Sequence, residues 1–558
     1  MVYLTHKWKK NRKYLYLEKK ARIDGKVKRV FQIYLGAEDK IEERQIILNS
    51  NKLDIRTYNV GTAILWQIAK RIGLLDIINE STDKKRKQGI SVGDYILVAI
   101  LNRCVDPCSK NLIPDWLKGD YLGFRYQDFI NHLDSQGYWN HFQYFTPDIL
   151  AEIQSVVTKT VLEEFKITLD LILYDPTNFF TNQGIHKDDQ IAKFGTSKEK
   201  RFDKRIVNLS VLTTKSDGIP LWTQTYQGGI HDATHFKSTI SKITDFMEFL
   251  QYELDELTLV LDKGNHSEEA MKFIEQKSLG IITSIRKSSH KEKLQVPNRE
   301  FQFITLRNDN QVSFIKYSHN FHSIDGVLYI IYDRRVKKRS LAIFSRDLKI
   351  KRKTIQEFLK NRLNQHKWTK KKNVQKKLKE FCGAKHFQKI FQFKIEGKEG
   401  QLKVSIKEAF IEKARYCRQM GKAAIFTNRT TWTPQVIIQT YRDMFIIEDC
   451  FRQMKDPRSI AIRPMYHFSD LSIHVHVFIC VMSYLLNTLA RKILSESGLD
   501  LTIKQFQNCI SKLQVTEIGR GQLKQPLLQL NGMDGDVKEI ARIFQLSRVI
   551  DEIKNTST

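Results

Sequence analysis

The chain has 558 residues, of which 92 are Lys or Arg and 62 are Asp or Glu, so its formal net charge is +30. This length exceeds one ordinary hydrophobic core, and we expect about two to four domains. The charge predicts a polyanionic partner. Nucleic acid is favoured over a membrane surface, because the sequence has neither a long amphipathic basic helix nor a lipidation motif.

The first 165 residues are predicted to form a basic β-hairpin followed by a helical domain. Residues 1–40 alternate polar and apolar side chains on both sides of Asp24-Gly25, a dipeptide typical of hairpin turns. Residues 41–165 instead carry apolar side chains at helical spacing. The N-terminus lacks the apolar core of a signal peptide.

Residues 166–285 return to strand-like patterns. Apolar runs precede Asp175 and Asp262, and turn-forming sequences follow them, Pro176-Thr177 and Lys263-Gly264 respectively. The order strand, strand, strand, helix, strand predicts a mixed sheet packed against helices. A carboxylate at the end of a strand lies at the rim of a sheet, where a metal ion and solvent can reach it.

The second half of the chain changes character three times. Residues 286–419 are predicted to be β-rich, with a strongly basic helical segment. Residues 420–490 contain a short buried strand and then a helix that starts at Thr433-Pro434, a good N-cap pair. The apolar segment 471–490 contains several polar side chains, which favours a buried helix over a membrane span. Residues 491–558 are predicted to be helical.

The seven cysteines are scattered and odd in number, which predicts a reducing compartment rather than a disulfide framework. Only Cys104 and Cys108 are close in sequence, and no second pair follows them to complete a zinc site. We expect both to be buried or partly buried thiols.

The stretch Tyr441–Lys455 is predicted to be one amphipathic helix. Tyr441, Glu448 and Lys455 are spaced by seven residues, so they are expected on nearly one face, two turns apart. Glu448 could belong to a functional site if other carboxylates lie close to it, and Asp175 and Asp262 are the candidates.

Three such carboxylates suit phosphodiester chemistry. Two divalent cations about 4 Å apart can activate a nucleophilic oxygen and stabilise a leaving oxygen. Hard oxygen ligands suit Mg²⁺. Asp203 and Asp232 are competing acidic residues that spacing does not exclude, so the residues alone leave the choice open.

The chain resembles the DDE transposases of bacterial and archaeal insertion sequences, in the insertion-sequence-four superfamily. The resemblance runs through most of the chain and is carried by Tyr34-Leu35-Gly36, residues 102–117, 174–180, 195–221 and 259–267, the Gly228-Gly229 turn with Asp232, Tyr441–Lys455 and residues 463–486. The family pattern in the helix is Tyr, two residues, Arg, three residues, Glu, six residues, Lys. Tyr441, Glu448 and Lys455 match it, whereas Met444 occupies the arginine position and Arg442 lies two residues earlier.

The resemblance implies a mixed α/β fold with a ribonuclease-H-like core made of residues 166–285 and 420–490. Residues 286–419 would be the insertion domain, and residues 41–165 would bind the DNA ends. Residues 491–558 would complete the chain as a C-terminal helical region.

The resemblance also implies metal-dependent DNA cleavage at insertion-sequence ends and strand transfer into target DNA. Asp175, Asp262 and Glu448 would be the catalytic residues and the ligands of two Mg²⁺ or Mn²⁺ ions. DNA-binding roles would fall to Tyr441, Arg442, Lys455, Lys263 and Arg201.

The implied partners are double-stranded DNA, as terminal inverted repeats and as target, and a second copy of the chain in a homodimer. The implied location is the cytoplasm of a prokaryote, at the nucleoid, with no membrane partner. Two alternatives remain open: a nuclease of the same fold that only hydrolyses DNA, and a decayed transposase that retains only DNA binding. Met444 favours the second.

Overall fold

The computed structural model describes residues 2–9, 12–23, 26–38, 54–83, 89–182, 190–518 and 527–555. The strands are β1 Val2–Lys9, β2 Arg12–Ile23, β3 Lys26–Ala37, β4 Ile55–Asn59, β5 Leu171–Phe180, β6 Ile206–Thr214, β7 Pro220–Gln227, β8 Thr258–Leu261, β9 Gly280–Ser284, β10 Gln302–Thr305, β11 Gln311–Phe321, β12 Ile324–Tyr332, β13 Phe391–Glu396, β14 Lys403–Glu408, β15 Lys422–Thr427, β16 Gln514–Ile518 and β17 Leu527–Asn531.

The α-helices are α1 Thr62–Arg71, α2 Leu74–Ser81, α3 Val92–Val105, α4 Ile113–Lys118, α5 Ser135–Phe142, α6 Pro147–Glu164, α7 Asp232–Phe249, α8 Glu268–Gln276, α9 Arg334–Asn361, α10 Lys371–Cys382, α11 Lys385–Ile390, α12 Phe410–Arg418, α13 Pro434–Arg442, α14 Phe445–Lys455, α15 Asp470–Glu496, α16 Ile503–Ile510, α17 Gly535–Ile543 and α18 Leu546–Asn555.

The chain divides into two compact units. The first unit contains residues 1–169, 175–230 and 446–558, and the second contains residues 170–174 and 231–445. The division falls within β5, between Tyr174 and Asp175.

The N-terminal strands form an antiparallel sheet in the order β1-β2-β3. Ile23 pairs with Lys26, so the predicted hairpin is confirmed for β2 and β3. Its turn, Asp24-Gly25, lies outside the described residues, as do residues 39–53. The sequence analysis missed β1 as a separate strand, because β1 and β2 share one alternating pattern.

The first unit is built around helix α15, whose apolar sequence leaves no solvent-facing stripe. Of the described helices, α15 is long and apolar enough to cross a membrane, but 94% of its most apolar window is buried inside the protein. It packs closely on α3. Ser483 Oγ donates to the carbonyl of Ile100 at 3.0 Å, and Cys104 Sγ donates to the carbonyl of Ser483 at 3.4 Å. The prediction of a buried helix is confirmed, as is that of a buried Cys104 and a half-buried Cys108.

In the first unit, β6 and β7 are antiparallel and follow β5 in the strand order β5-β6-β7. A separate three-stranded sheet has the order β17-β16-β4. The prediction that residues 491–558 are helical is therefore wrong for β16 and β17. Their pairing depends on β4, more than 450 residues earlier, which pairs Gln514 with Asn59. Local periodicity carries no information about such a distant partner.

The second unit contains a large mixed sheet in the order β10-β11-β12-β15-β9-β8-β5. Strands β5, β8 and β9 are parallel, and the remaining pairs are antiparallel. The predicted mixed sheet is confirmed. Strands β10, β11 and β12, which fall within the predicted insertion at residues 286–419, belong to this sheet.

Residues 334–420 have a hydrophobic core of their own. Helices α9 to α12 and the hairpin β13-β14 surround it, and its buried members include Phe344, Ile355, Leu378 and Ile390. This segment is mixed α/β rather than β-rich. Helices α9 and α10 correspond to the strongly basic helical segment that the sequence predicts.

Candidate active site

Asp175 lies in the middle of β5 rather than at its end. The strand continues through Pro176 to Phe180, so the predicted turn at Pro176-Thr177 is wrong. This second half of the strand makes hydrogen bonds to residues 196–198 of a later segment. Asn178 donates to the carbonyl of Thr196 at 3.1 Å and accepts from the N–H of Lys198 at 2.9 Å. Lys198 also donates to the carbonyl of Pro176, which offers no N–H of its own.

Lys455 is held close to Asp175 within the first unit. Its ammonium donates to Thr177 Oγ1 at 2.8 Å and lies 3.8 Å from Glu199 Oε1. Burial lowers the pKa of Lys455 to about 8. The negative charges of Glu199 and Asp175 oppose that shift, and the neighbouring cations Lys198 and Arg463 add to it. Lys455 is therefore a largely buried cation whose charge responds to Asp175.

Glu199 and Arg463 complete this environment, and the sequence analysis did not single out either. Arg463 Nη1 donates to Glu199 Oε2 at 2.6 Å, and Arg463 Nε donates to the carbonyl of Lys455 at 3.2 Å. Glu199 thus lies between two cations, one of which also holds the end of α14. The available signal was weak: both residues fall in blocks that carry the family resemblance, but neither matches a named catalytic position.

Asp262 directly follows β8 and starts a short turn, as predicted. Its Oδ1 accepts hydrogen bonds from Ser284 Oγ at 2.6 Å and from Tyr441 Oη at 3.3 Å. Burial opposes ionisation of this carboxyl. The hydrogen bond from Ser284, the backbone N–H and charge of Lys263, and the hydrogen bond from Tyr441 together bring its pKa below the ordinary value. Asp262 is therefore held as a carboxylate.

A cleft of about 470 Å³ opens beside Asp262 in the second unit. Its lining includes Lys263, Arg286, Lys287 and Tyr441. Burial, followed by the charge of Lys263, lowers the pKa of Lys287. Three basic side chains around one carboxylate give this cleft a positive lining, which suits phosphate groups.

The prediction of one continuous helix from Tyr441 to Lys455 is wrong. Helix α13 ends at Arg442 and α14 begins at Phe445, so Tyr441 lies on a different element from Glu448 and Lys455.

Asp443 explains where α13 ends. Its carboxylate is buried and accepts from the Gln439 side-chain amide at 2.8 Å. Its N–H is shared between the carbonyls of Gln439 and Thr440, and the N–H of Met444 bonds three residues back to Tyr441. This tightening to three-residue steps is typical of a helix terminus.

Glu448 is exposed in the first turn of α14. A negative charge is favourable at that end of a helix. Lys455 lies two turns further on the same helix, so this half of the predicted spacing is confirmed.

The remaining sequence-predicted DNA contacts differ in their availability. Lys263 is exposed. Arg442 pairs with Asp333 at 2.5 Å, and Asp333 is a buried carboxylate that also caps α9. Arg201 makes a two-pronged bond with Asp203 at 2.8 and 2.7 Å.

The two competing acidic residues have structural roles. The hydrogen bond from Arg201 lowers the pKa of Asp203 to about 2 at an exposed position. Asp232 occupies the first turn of α7.

Within the residues that the structure describes, no three His, Cys, Asp or Glu side chains are grouped so as to hold a metal ion. Asp175 and Glu448 belong to the first unit and Asp262 to the second. Each offers carboxylate oxygens, the donor type that suits Mg²⁺ or Mn²⁺, and Asp262 is held in the ionised form that metal binding requires. The donor chemistry fits a hard cation, while the metal site itself stays a prediction.

No protein-family model matches the chain, and no curated protein matches it. Among solved structures, the chain is similar to a piggyBac transposase in a synaptic complex with hairpin DNA. The TM-score is 0.37 and the identity 8%, over 89% of this chain and 84% of that one. This is a distant match to a transposase, too weak to carry an argument about fold or mechanism. The resemblance to insertion-sequence transposases stays a prediction.

Proposed function

We propose that this protein is a metal-dependent enzyme of the DDE transposase type, which cuts DNA at insertion-sequence ends and joins those ends to target DNA. One observation carries the proposal. Strands β5 and β8 are parallel, and their last pair is Tyr174 with Leu261. Asp175 is the next residue of β5, and Asp262 directly follows β8.

The order of elements supports a ribonuclease-H-like core. Strands β5, β6 and β7 follow one another, with β6 and β7 antiparallel, and then α7 leads to β8 and α8 leads to β9. Both β8 and β9 run parallel to β5. Carboxylates that follow neighbouring parallel strands are a common source of catalytic groups in open α/β sheets.

In this proposal Asp175, Asp262 and Glu448 hold two Mg²⁺ or Mn²⁺ ions. The ions would supply charge stabilisation for the attacking and leaving oxygens of a phosphodiester. Ser284 and Tyr441 keep Asp262 ionised and oriented through hydrogen bonds to one of its oxygens.

The basic residues have a separate task, which is to bind the DNA backbone. Lys263, Arg286 and Lys287 line the cleft next to Asp262, and the net charge of +30 supports a polyanionic substrate. In this proposal Arg442 contributes less to DNA binding than these three residues, because it is already paired with Asp333. Two element ends must be held together, so we propose a homodimer in the DNA complex.

A second candidate function is DNA binding without chemistry, in a decayed transposase. Two observations favour it: Met444 replaces the arginine of the family pattern, and Arg442 forms an ion pair with Asp333 instead of facing solvent alone. A nuclease that only hydrolyses DNA would differ from the main proposal in lacking joined products.

The test uses the full-length chain, Mg²⁺ or Mn²⁺, and duplex DNA that carries the ends of the element. We expect strand cleavage and joining, and we expect Asp175→Asn and Glu448→Gln each to lower the rate by on the order of a thousandfold. Asp203→Asn is the matched control, because its carboxylate is exposed and pairs with Arg201. Equal rates in all variants would refute the site. DNA binding by the unaltered chain with no cleavage in either metal would favour the decayed protein.

A further inference from the structure

A second group of basic side chains lies in the first unit, away from the three carboxylates. Arg103 comes from the end of α3, Lys110 from the segment before α4, His467 from the loop before α15 and His476 from α15 itself. We call these four residues the basic cluster. Lys110 Nζ lies 3.4 Å from His467 Nε2, and the rings of His467 and His476 are 4.9 Å apart.

Arg103 joins the cluster through the loop that carries His467. Its Nη1 donates to the carbonyl of Ala461 at 3.2 Å. An arginine stays charged at every relevant pH, so this half-buried guanidinium is a permanent positive charge.

No carboxylate balances these charges. Within the described part of the chain, neither Arg103 nor Lys110 has an Asp or Glu oxygen within ion-pair distance. Burial, followed by the charge of Arg103, lowers the pKa of Lys110 to about 7. Burial, followed by the charges of Lys110 and Arg103, lowers the pKa of His467 to about 3. The cations therefore repel one another.

The partners that are present compensate only in part. The Lys110 ammonium lies 4.2 Å from the centre of the Phe142 ring, a cation–π contact. Such a contact and one carbonyl do not neutralise two half-buried charges, and burying unpaired charge is costly. A bound anion would remove that cost.

The hydrogen-bonding pattern selects the kind of anion. Lys110 donates to His467 Nε2, so the His467 proton is on Nδ1, and His476 Nε2 donates to the carbonyl of Ile462 at 3.0 Å. Arg103 and Lys110 carry donors only, and the His467 Nδ1–H is a further donor. Oxyanions with several acceptor oxygens, phosphate above all, match such a set.

We propose that the basic cluster binds a phosphate-type oxyanion, and that this anion is a backbone phosphate of DNA. The second half of this inference rests on the proposed function. Tyr466 and Phe468, on either side of His467, are exposed at 67% and 59%. Exposed rings next to a phosphate site can stack on nucleobases, which favours a nucleic-acid phosphate over a free one.

The first experiment measures thermal unfolding of the full-length chain with inorganic phosphate or with chloride at equal ionic strength. A ligand that binds only the folded state raises the unfolding midpoint. We expect phosphate to stabilise the unaltered chain and Lys110→Met to weaken its affinity by about tenfold or more. Lys118→Met is the matched control, since Lys118 lies nearby in the sequence but is exposed and paired with Asp115. No specific stabilisation by phosphate, together with a more stable Lys110→Met in both buffers, would overturn the proposal.

The second experiment measures the salt dependence of binding to a DNA duplex of arbitrary sequence. If the anion is a backbone phosphate, Lys110→Met should reduce the slope of log affinity against log salt by about 0.9. A phosphate response that Lys110→Met abolishes, with unchanged DNA binding, would overturn the assignment to DNA and leave a site for free phosphate. Failure of the unaltered chain to bind DNA would refute the proposed function, and the phosphate experiment would still test the cluster.

Discussion

Asp175 and Asp262 are reached by neighbouring parallel strands, yet their surroundings differ in kind. Asp262 accepts hydrogen bonds from two neutral hydroxyl groups, those of Ser284 and Tyr441. Asp175 instead lies close enough to the buried Lys455 for its charge to raise the pKa of that ammonium. Asp262 has two hydroxyl donors and the charge of Lys263 beside it, whereas Asp175 has a titratable cation nearby.

The two proposed metal ligands therefore have different electrostatic environments. Two hydroxyl donors and the charge of Lys263 favour the charged form of Asp262. The support of Asp175 depends on the protonation of Lys455, and Glu199 shares that cation. We therefore expect the two environments to respond to pH in different ranges, the first in acid and the second in base.

The largest expected effect is that of Lys455→Met, in the environment of Asp175, on the free energy of unfolding. The pKa of Lys455 falls from its ordinary 10.5 to about 8 in the folded protein, chiefly by burial. Between these values the unfolded chain binds more protons than the folded one, so the stability of the unaltered protein rises with pH. At neutral pH, Lys455→Met should raise the free energy of unfolding by about 3 kcal/mol at most, and the difference should vanish near pH 10.5.

Urea unfolding across the range from pH 7 to pH 10.5 measures this difference. Lys277→Met is the control, because Lys277 is exposed and pairs with Glu248 at the surface. A surface ion pair contributes about 0–1 kcal/mol, so Lys277→Met should change the free energy of unfolding only slightly at any pH in this range. A Lys455→Met difference that stays constant with pH would contradict the titration of Lys455.

The next effect concerns Asp262 and compares Ser284→Ala with Tyr441→Phe. Ser284 makes the shorter hydrogen bond, 2.6 Å against 3.3 Å. We expect Ser284→Ala to raise the pKa of Asp262 and Tyr441→Phe to raise it by less. Because that pKa is lowered in the folded state, its contribution to stability is present above the ordinary value and is lost as pH falls through the folded value.

The measurement is the acid limb of the free energy of unfolding. Both variants should lose stability at a higher pH than the unaltered chain, and Ser284→Ala should do so first. Ser289→Ala, at an exposed position in the same connection, is the control. If Tyr441→Phe had the larger effect, the hydrogen-bond distances would not explain the ionisation of Asp262.

The sequence predicted the elements that depend on local patterns. Strand β8 with its turn at Asp262 and helix α7 were found from residue types alone. The start of α13 was found in the same way, and Thr433 does accept a hydrogen bond from the N–H of Val436. Each of these depends on neighbours within a few residues.

The features that were missed depend on distant contacts. Asp175 lies within a strand because Thr196 and Lys198 hold the residues after it. The end of α13 at Arg442 depends on burial of the Asp443 carboxylate, which a charged residue in a helical pattern does not indicate. Glu199 matters only because Lys455 and Arg463, more than 250 residues later, converge on it.

The smallest expected effect is on the salt dependence of DNA binding, and it compares two of the predicted DNA-binding residues, Lys263 and Arg442. Lys263 is exposed at the cleft beside Asp262, whereas the guanidinium of Arg442 is paired with Asp333. A cation that neutralises one phosphate contributes about 0.9 to the slope of log affinity against log salt. We expect Lys263→Gln to lower that slope by about this amount for duplex DNA and Arg442→Gln to leave it nearly unchanged, as measured by fluorescence anisotropy. If both variants lowered the slope equally, Arg442 would have to leave Asp333 and bind a phosphate when DNA binds. Arg442 would then be a DNA contact in addition to the basic residues that line the cleft beside Asp262.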